Sequence, residues 1–200
     1  MRLFSHKSGF TLFELMVSIS IFVLITALVI FKYGTFNQTV LTTNLAYDVA
    51  MTLRTAQTFG LGSKNSDSSN TNFSYAYGVE FDMSNANNTK LILFSDSNLA
   101  TPNNGKYEAG ESVNQYNITR GAKVSALTVC DSPQNGCISL TGNGDRLDIL
   151  FKRPYPDAII NYIDNAQNIV TKNYARITIK ATDNTLKYVD VYSNGQISVI

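Results

Sequence analysis

Few side chains in this 200-residue chain have the types and spacing that chemistry requires. His6 is the single histidine, so the body of the protein can form neither a Ser/His/Asp triad nor a metal site with several histidines. Cys130 and Cys137 lie too far apart for the Cys-x-x-Cys redox motif, and the sequence lacks the further soft ligands that a metal pair would need. We therefore predict no enzyme, no bound metal and no cofactor.

The two cysteines are better suited to a structural bond. Cys130 and Cys137 enclose a turn containing Pro133 and Gly136, and β-forming residues flank the turn on both sides. If this part of the chain is exported, an oxidising compartment permits a disulfide across the turn. We predict that disulfide, and we expect it to staple one hairpin rather than to stabilise the whole fold.

Glu14 is a carboxylate inside a long apolar run. Residues 15–31 carry no charge, and a helix over residues 10–31 would be roughly 33 Å long, close to the thickness of a bilayer's hydrocarbon core. Arg2 and Lys7 precede the run, which predicts a cytoplasmic N-terminus and an exported body. The run exceeds the apolar core of a cleaved signal peptide and no Ala-x-Ala follows it, so we expect the span to be retained.

The position of Glu14 leaves two interpretations open. An ionisable side chain is costly deep in a bilayer and less costly near its surface. Glu14 is therefore compatible with a first helical turn, where the positive end of the helix dipole favours a carboxylate. The alternative is a role in contacts with other proteins, and it depends on the residues around Glu14.

Those residues carry a resemblance to a known family. The string Lys7-Ser8-Gly9-Phe10-Thr11-Leu12-Phe13-Glu14-Leu15-Met16-Val17 resembles the processing motif of type IV pilins and type II secretion pseudopilins. The resemblance implies that a prepilin peptidase cuts after Gly9 and methylates the new N-terminal amine of Phe10. It also implies that Glu14 of an incoming subunit pairs with the Phe10 amine of a neighbour during assembly. Pairing of Glu14 with its own N-terminus is the competing interpretation.

The helix is predicted to continue beyond the span as an amphipathic segment that ends near Gly60. Gly34 and Asn37 predict a bend or a loosening on the way. The apolar stripe, at spacings of three and four, consists of Leu41, Leu45, Val49, Leu53, Ala56 and Gly60. The residues expected on the other faces are Asn44, Asp48, Thr52 and Thr55. Such a stripe predicts a face that packs on a globular head.

The remainder of the chain predicts antiparallel β structure. Residues 60–72 are turn formers without hydrophobic periodicity and predict a loop. Strands are predicted at 73–82, 90–95, 112–119, 123–130, 137–141, 146–151, 174–181, 186–192 and 196–200. Asp183-Asn184 and Ser193-Asn194-Gly195 are turn signals between the last three strands, which predict a meander.

One group of oxygen ligands is a candidate for a calcium site. Asn143, Asp145 and Asp148 lie close together in the sequence, but they do not form a ligand series of the density that calcium requires. We predict a solvated turn at these residues.

The expected architecture is α+β, with the pilin fold that the resemblance implies: a long N-terminal helix packed on an antiparallel β head. The predicted parts are a leader at 1–9, a transmembrane and filament-core helix at 10–31, an amphipathic continuation at 32–60, and a β-rich head at 61–200. This arrangement predicts a single-pass protein of the bacterial inner membrane with an exported head, which joins an extracytoplasmic filament after assembly.

The resemblance implies a structural subunit of a type IV pilus or a secretion pseudopilus. Its implied partners are the prepilin peptidase, other pilin or pseudopilin subunits, the inner-membrane assembly platform and membrane lipid. Two short strings in the head have a weaker resemblance to minor pseudopilins of the secretion-H or fimbrial-T kind. They are Tyr77-Gly78-Val79-Glu80-Phe81 and Gly195-Gln196-Ile197-Ser198-Val199, and they favour a minor subunit.

The alternative function is a minor pilin whose head binds DNA or a surface ligand. A formal net charge of +1, with only 16% charged residues, argues against a nucleic-acid partner. Binding to phosphates needs several clustered cations.

Overall fold

The computed structural model describes residues 9–62, 75–84, 88–98, 101–140 and 144–200, and for residues 32–37 it describes the backbone alone. Residues 1–8 of the predicted leader, most of the loop predicted at 60–72 and the start of the strand predicted at 73–82 lie outside the described residues. Asn143 of the candidate calcium group also lies outside them.

A single helix dominates the N-terminal part of the protein. Helix α1 (Leu12–Leu61) is 50 residues long and runs without a break through Gly34 and Asn37. It ends where the Gly62 N–H donates to the Thr58 carbonyl oxygen at 2.9 Å. The apolar first half and the amphipathic second half thus form one continuous element.

The rest of the described chain is antiparallel β structure. The strands are β1 (Tyr77–Asp82), β2 (Lys90–Ser95), β3 (Ser112–Asn117), β4 (Lys123–Cys130), β5 (Ile138–Leu140), β6 (Arg146–Phe151), β7 (Ala158–Ile163), β8 (Ile169–Lys172), β9 (Tyr174–Lys180), β10 (Leu186–Tyr192) and β11 (Ile197–Val199). The predicted α+β class is confirmed. Strands β7 and β8 were not predicted: the sequence analysis assigned no strand between residues 151 and 174.

The strands form two sheets. Sheet A has the order β3-β2-β1-β6-β7-β8, and sheet B has the order β11-β10-β9-β4-β5. The chain enters each sheet twice, and only Asn173 separates β8 of sheet A from β9 of sheet B. The last three strands pair in sequence as β9, β10 and β11, which confirms the predicted meander.

The main core lies between the second half of α1 and the two sheets. From the helix it contains Ala46, Val49, Ala50, Leu53 and Ala56. Sheet A contributes side chains such as Val79, Phe81 and Ile149, and sheet B contributes side chains such as Leu127, Ile177 and Val189. The predicted stripe is therefore the packed face of the helix.

Thr52 was expected on a face of the helix other than the packed one, and that expectation was wrong. Thr52 is buried, and its hydroxyl donates to the Asp48 carbonyl oxygen at 2.9 Å. This bond within the helix satisfies the hydroxyl, so the side chain can be buried against the head without an unpaired polar atom.

The described part of residues 96–111, between β2 and β3, lies over the outer face of sheet A. We call it the covering segment. The Tyr107 N–H donates to the Asp148 carboxylate at 2.7 Å, and the Asn161 amide donates to the Gly105 carbonyl oxygen at 2.6 Å. A second, smaller apolar cluster lies on this side of the sheet and consists of Ala76, Phe94 and Leu150, with Ile92 and Tyr107 packed on it.

The prediction of a solvated turn was wrong for Asp148. This residue is 0% exposed, in the middle of β6 and under the covering segment. Alternation along β6 directs Leu147 and Ile149 into the main core and Asp148 to the opposite face, where contacts from a distant part of the chain bury it.

Candidate functional site

The residues that the sequence singles out cluster at the start of α1. Thr11 is the N-cap, with extended backbone angles of φ −77° and ψ 151°. Its hydroxyl oxygen accepts the Glu14 N–H at 3.3 Å, and its carbonyl oxygen accepts the Leu15 N–H at 3.1 Å. The Thr11 side chain therefore begins the helix by satisfying a backbone donor that has no partner within the helix.

Glu14 lies in the first turn of α1, three residues after the cap. The Thr11 hydroxyl also approaches its Oε2 atom at 3.5 Å. Thr-x-x-Glu is the pattern of a capping box, and the carboxylate stands near the positive end of the helix dipole. In the single chain, Glu14 thus occupies the first helical turn, as the first of its two interpretations predicted. Thr11 is the residue that sequence reasoning missed, although Thr-x-x-Glu before an apolar run is itself a recognisable signal.

Gly9 and Phe10 precede the cap and are accessible. Both residues are exposed, Phe10 to 74%. Apart from the two chain neighbours of Gly9, no described residue has an atom within 4 Å of the position that a Cβ on Gly9 would occupy. The peptide bond between them is therefore open to a protease, and the absence of a side chain on Gly9 permits close approach to the backbone.

The segment Leu12–Phe31 does not pack on the head. It has a mean hydropathy of 2.5, none of it is buried in the protein, and by length and composition it is sufficient to cross a membrane. Its hydroxyl side chains are satisfied within the helix: those of Ser18, Ser20 and Thr26 donate to carbonyl oxygens four residues earlier, at 2.8 to 2.9 Å. An apolar surface of this size needs a lipid or protein environment.

Glu14 is the one ionisable side chain between Phe10 and Phe31. Within the described residues it forms no ion pair. A carboxylate in a low-dielectric layer is costly without a partner of opposite charge. A cleaved chain would begin with the amine of Phe10, which would have the same need.

The head carries the disulfide between Cys130 and Cys137. Strands β4 and β5 pair on either side of it, with Val129 opposite Ile138. The enclosed turn is tied to the end of β8, because the Lys172 ammonium lies 2.7 Å from Asp131 Oδ1. The bond therefore closes a hairpin at one end of sheet B.

No metal centre is found in the part of the chain that the structure describes, where no three His, Cys, Asp or Glu side chains are grouped to hold an ion. Asp145 and Asp148 point to different surroundings: Tyr162 donates to Asp145 Oδ1 at 3.3 Å, whereas Asp148 binds the covering segment.

Comparison with known proteins identifies one motif. The family model of the prokaryotic N-terminal methylation motif matches residues 4–30. No curated protein and no solved structure matches the chain. The matched motif is of the type IV pilin type. It supports a structural subunit of the pilin or pseudopilin type rather than an enzyme, and with the apolar helix it indicates single-pass anchoring in a membrane.

Proposed function

We propose that this chain is a minor structural subunit of a type IV pilus or a type II secretion pseudopilus. In this proposal a prepilin peptidase cuts between Gly9 and Phe10 and methylates the Phe10 amine. The chain waits in the inner membrane with its head exported, and the assembly platform then moves it into a filament of pilin or pseudopilin subunits.

The observation that carries the proposal is the arrangement at the start of α1. An accessible Gly9-Phe10 bond stands immediately before a capped helix whose apolar surface is exposed from Leu12 to Phe31. After a cut at this bond, Phe10 is the one residue that precedes the Thr11 cap of the helix. That helix can move from lipid into a bundle of similar helices without exposing its surface to water.

The role of Glu14 follows from the charges that the cut creates. Cleavage would place an ammonium on Phe10 and leave the Glu14 carboxylate one helical turn away, in a layer where each is costly alone. In a filament the carboxylate of one subunit can pair with the amine of its neighbour, which fixes the axial position of the incoming helix. We propose that Glu14 has this assembly role.

The minor status rests on the resemblance of two short strings in the head. Tyr77-Gly78-Val79-Glu80-Phe81 lies in β1, an inner strand of sheet A, and Ile197-Ser198-Val199 forms β11, an edge strand of sheet B. A minor subunit predicts few copies per filament, which quantitative mass spectrometry of sheared filaments measures.

Processing is tested by the mass and the N-terminal sequence of the protein from cells with an active prepilin peptidase. We expect a chain that begins at methylated Phe10 in the wild type and an uncut chain in Gly9→Val. An intact N-terminus in the wild type would return the protein to the class of anchored β domains.

The assembly role of Glu14 is tested by Glu14→Gln. Glutamine also completes a capping box, so this variant removes the charge and keeps the start of the helix. We expect normal cleavage and membrane insertion, but loss of the variant from the sheared filament fraction. Incorporation equal to wild type would exclude the pairing of Glu14 with Phe10.

A further inference from the structure

The two ends of the head can be assigned from its contacts with α1. At the C-terminal end of the helix, the Gln57 side chain donates to the carbonyl oxygens of Pro156 at 3.1 Å and Gly195 at 3.2 Å. At the other end, residues 117–122 share a polar cleft with helix residues from Gln38 to Asp48. The turn between β3 and β4 is therefore on the side of the head that faces the apolar span.

Three cations lie at this end of sheet B, and we call them the basal cluster: Arg120, Lys123 and Lys180. Arg120 is exposed in the turn between β3 and β4 and has a left-handed φ of 62°. Lys123 and Lys180 stand directly opposite each other on β4 and β9. The turn between β9 and β10 is adjacent, since a Cβ on Gly121 would fall 2.5 Å from Thr182 Cγ2.

The described part of the head provides no ion-pair partner for the basal cluster. Among the described residues, none of its three cations lies within ion-pair distance of a carboxylate. Asp183 in the adjacent turn is bound by the Thr185 N–H at 2.9 Å and the Thr185 hydroxyl at 2.8 Å. Asp48 lines the helix side of the cleft. Like charges directly opposite each other across two strands repel, so this arrangement keeps an electrostatic cost that an external anion would relieve.

The helix holds the basal cluster near the bilayer surface. Gln38 follows Phe31 by seven residues, which is about 10 Å of helix. The polar layer of a bilayer adds roughly 5 to 7 Å beyond the hydrocarbon core, and the Debye length at physiological ionic strength is about 8 Å. Arg120 lines a cleft that begins at this level of the helix, so a small tilt of the tethered head brings the basal cluster within electrostatic reach of the headgroups. The tether also gives the cations a high effective concentration at the surface.

We propose that the basal cluster binds the headgroups of anionic phospholipids and so holds the head down on the membrane before assembly. The inference goes beyond the proposed function. It rests on anchoring of the chain by its apolar helix, and it requires neither processing at Gly9 nor a filament. Each cation near an anionic surface contributes enough attraction to change the ratio of docked to free heads by about fivefold.

The chain contains no tryptophan, which permits a specific probe. Tyr116 is 45% exposed near the basal end of β3, and Tyr155 is 67% exposed in the turn between β6 and β7 at the opposite end. Full-length Tyr116→Trp and Tyr155→Trp are each placed in phosphatidylcholine vesicles with and without phosphatidylglycerol. Both kinds of vesicle contain a dansyl-labelled headgroup lipid as the acceptor for energy transfer.

We expect phosphatidylglycerol to increase energy transfer from the basal Tyr116→Trp probe, and high salt to abolish the increase. Transfer from the distal Tyr155→Trp probe should change less. Replacement of all three cations, as Arg120→Gln, Lys123→Gln and Lys180→Gln, should lower the docked-to-free ratio on the order of 100-fold. The matched control removes three cations away from the basal end, as Arg54→Gln, Lys152→Gln and Arg153→Gln, and should keep the lipid response.

Equal energy transfer from Tyr116→Trp in the two kinds of vesicle would overturn the proposal. A protein would then be the expected partner of the basal cluster. A lipid response that survives in the triple variant would overturn it as well. If the triple variant fails to fold, as judged by near-ultraviolet circular dichroism, the single Lys123→Gln variant decides. Lys123→Gln should lower the docked-to-free ratio about fivefold, and an unchanged ratio would contradict the inference.

Discussion

Glu80 and Asp148 stand directly opposite each other on β1 and β6, and both carboxyl groups are buried. The Arg146 guanidinium donates to Glu80 at 3.2 Å, while Asp148 accepts the Tyr107 N–H of the covering segment through Oδ2. The Oδ1 atom of Asp148 has no hydrogen-bond partner among the described residues. A buried carboxyl group with an unpaired oxygen beside a second carboxyl group favours the protonated form.

This relationship makes the stability of the head depend on pH. Burial raises the pKa of Asp148 to about 8, and Glu80 adds to the rise while Arg146 and the Tyr107 N–H oppose it. Burial also raises the pKa of Glu80 to about 7, against the opposing effect of Arg146. At these two groups the folded protein therefore binds more protons than the unfolded chain above about pH 4. The stability that they contribute is fully present below that pH and is lost as the pH rises to about 8.

We expect Asp148→Asn to remove a large part of this pH dependence. Asparagine is neutral at every pH and can still accept the Tyr107 N–H. Between pH 5 and pH 8 the wild type should lose on the order of 3 kcal/mol of unfolding free energy, and the variant much less. Chemical denaturation of the full chain in detergent micelles, followed by near-ultraviolet circular dichroism, measures the difference.

Asp183→Asn is the control for this experiment. Asp183 is an exposed carboxylate whose pKa the Thr185 N–H lowers, so it cannot produce a loss of stability with rising pH. The same steep decline in Asp148→Asn as in the wild type would show that another group governs the pH dependence.

A second prediction concerns the contact between the end of α1 and sheet A. A Cβ on Gly60 would fall 2.2 Å from the Phe151 carbonyl oxygen, and the Arg153 N–H donates to the Gly60 carbonyl oxygen at 3.2 Å. Alanine is favoured over glycine within a helix by about 1 kcal/mol. Here the clash should outweigh that gain, because the atoms nearest to the added Cβ belong to the backbone of an inner strand and cannot yield.

Gly60→Ala should therefore lower the unfolding free energy by about 1 to 3 kcal/mol. Leu61→Ala is the matched control, since Leu61 is partly exposed and should cost less. Denaturation of both variants under the same conditions measures the two effects. A stabilised Gly60→Ala variant would mean that propensity, and not the close approach to Phe151, determines the outcome at this position.

The sequence predicted those elements whose signal is local. The span at Leu12–Phe31, the strands β2, β4, β6 and β10 with their bounds, and the final meander follow from hydrophobic pattern and turn residues. Strand β8 was missed because it has four residues at a sheet edge, and β7 because its apolar run follows a turn rich in proline.

Contacts between distant parts of the chain were not predictable in the same way. Alternation along a strand indicates an inner and an outer face, but it does not assign strands to two sheets. Asp148 is an example: it lies on the outer face of sheet A, where residues from between β2 and β3 cover it, and no local sequence pattern predicts this contact. In contrast, the capping role of Thr11 was readable from Thr-x-x-Glu.

A third prediction separates the two contributions of the N-terminal motif. Thr11→Ala removes the hydroxyl that accepts the Glu14 N–H and should weaken the first turn of α1 by about 1 kcal/mol. The charge of Glu14 is retained, so we expect Thr11→Ala to enter filaments far better than Glu14→Gln, with Thr11→Ser close to wild type. Quantitative immunoblots of sheared filaments and membranes measure the incorporated fraction. If Thr11→Ala is excluded as strongly as Glu14→Gln, the cap rather than the charge is what assembly requires.

A fourth prediction concerns the disulfide in sheet B. Cys130 and Cys137 close a short loop, and a short loop restricts the unfolded chain only modestly, so the double variant Cys130→Ser with Cys137→Ser should lose at most about 2 to 3 kcal/mol. The effect should be local, because β5 pairs only with β4 at the edge of its sheet whereas β9 and β10 are inner strands. Hydrogen exchange should therefore accelerate in β5 and in the turn at 131–137, with protection retained in β9 and β10. Loss of protection throughout sheet B would show that the bond supports the whole head and not one hairpin.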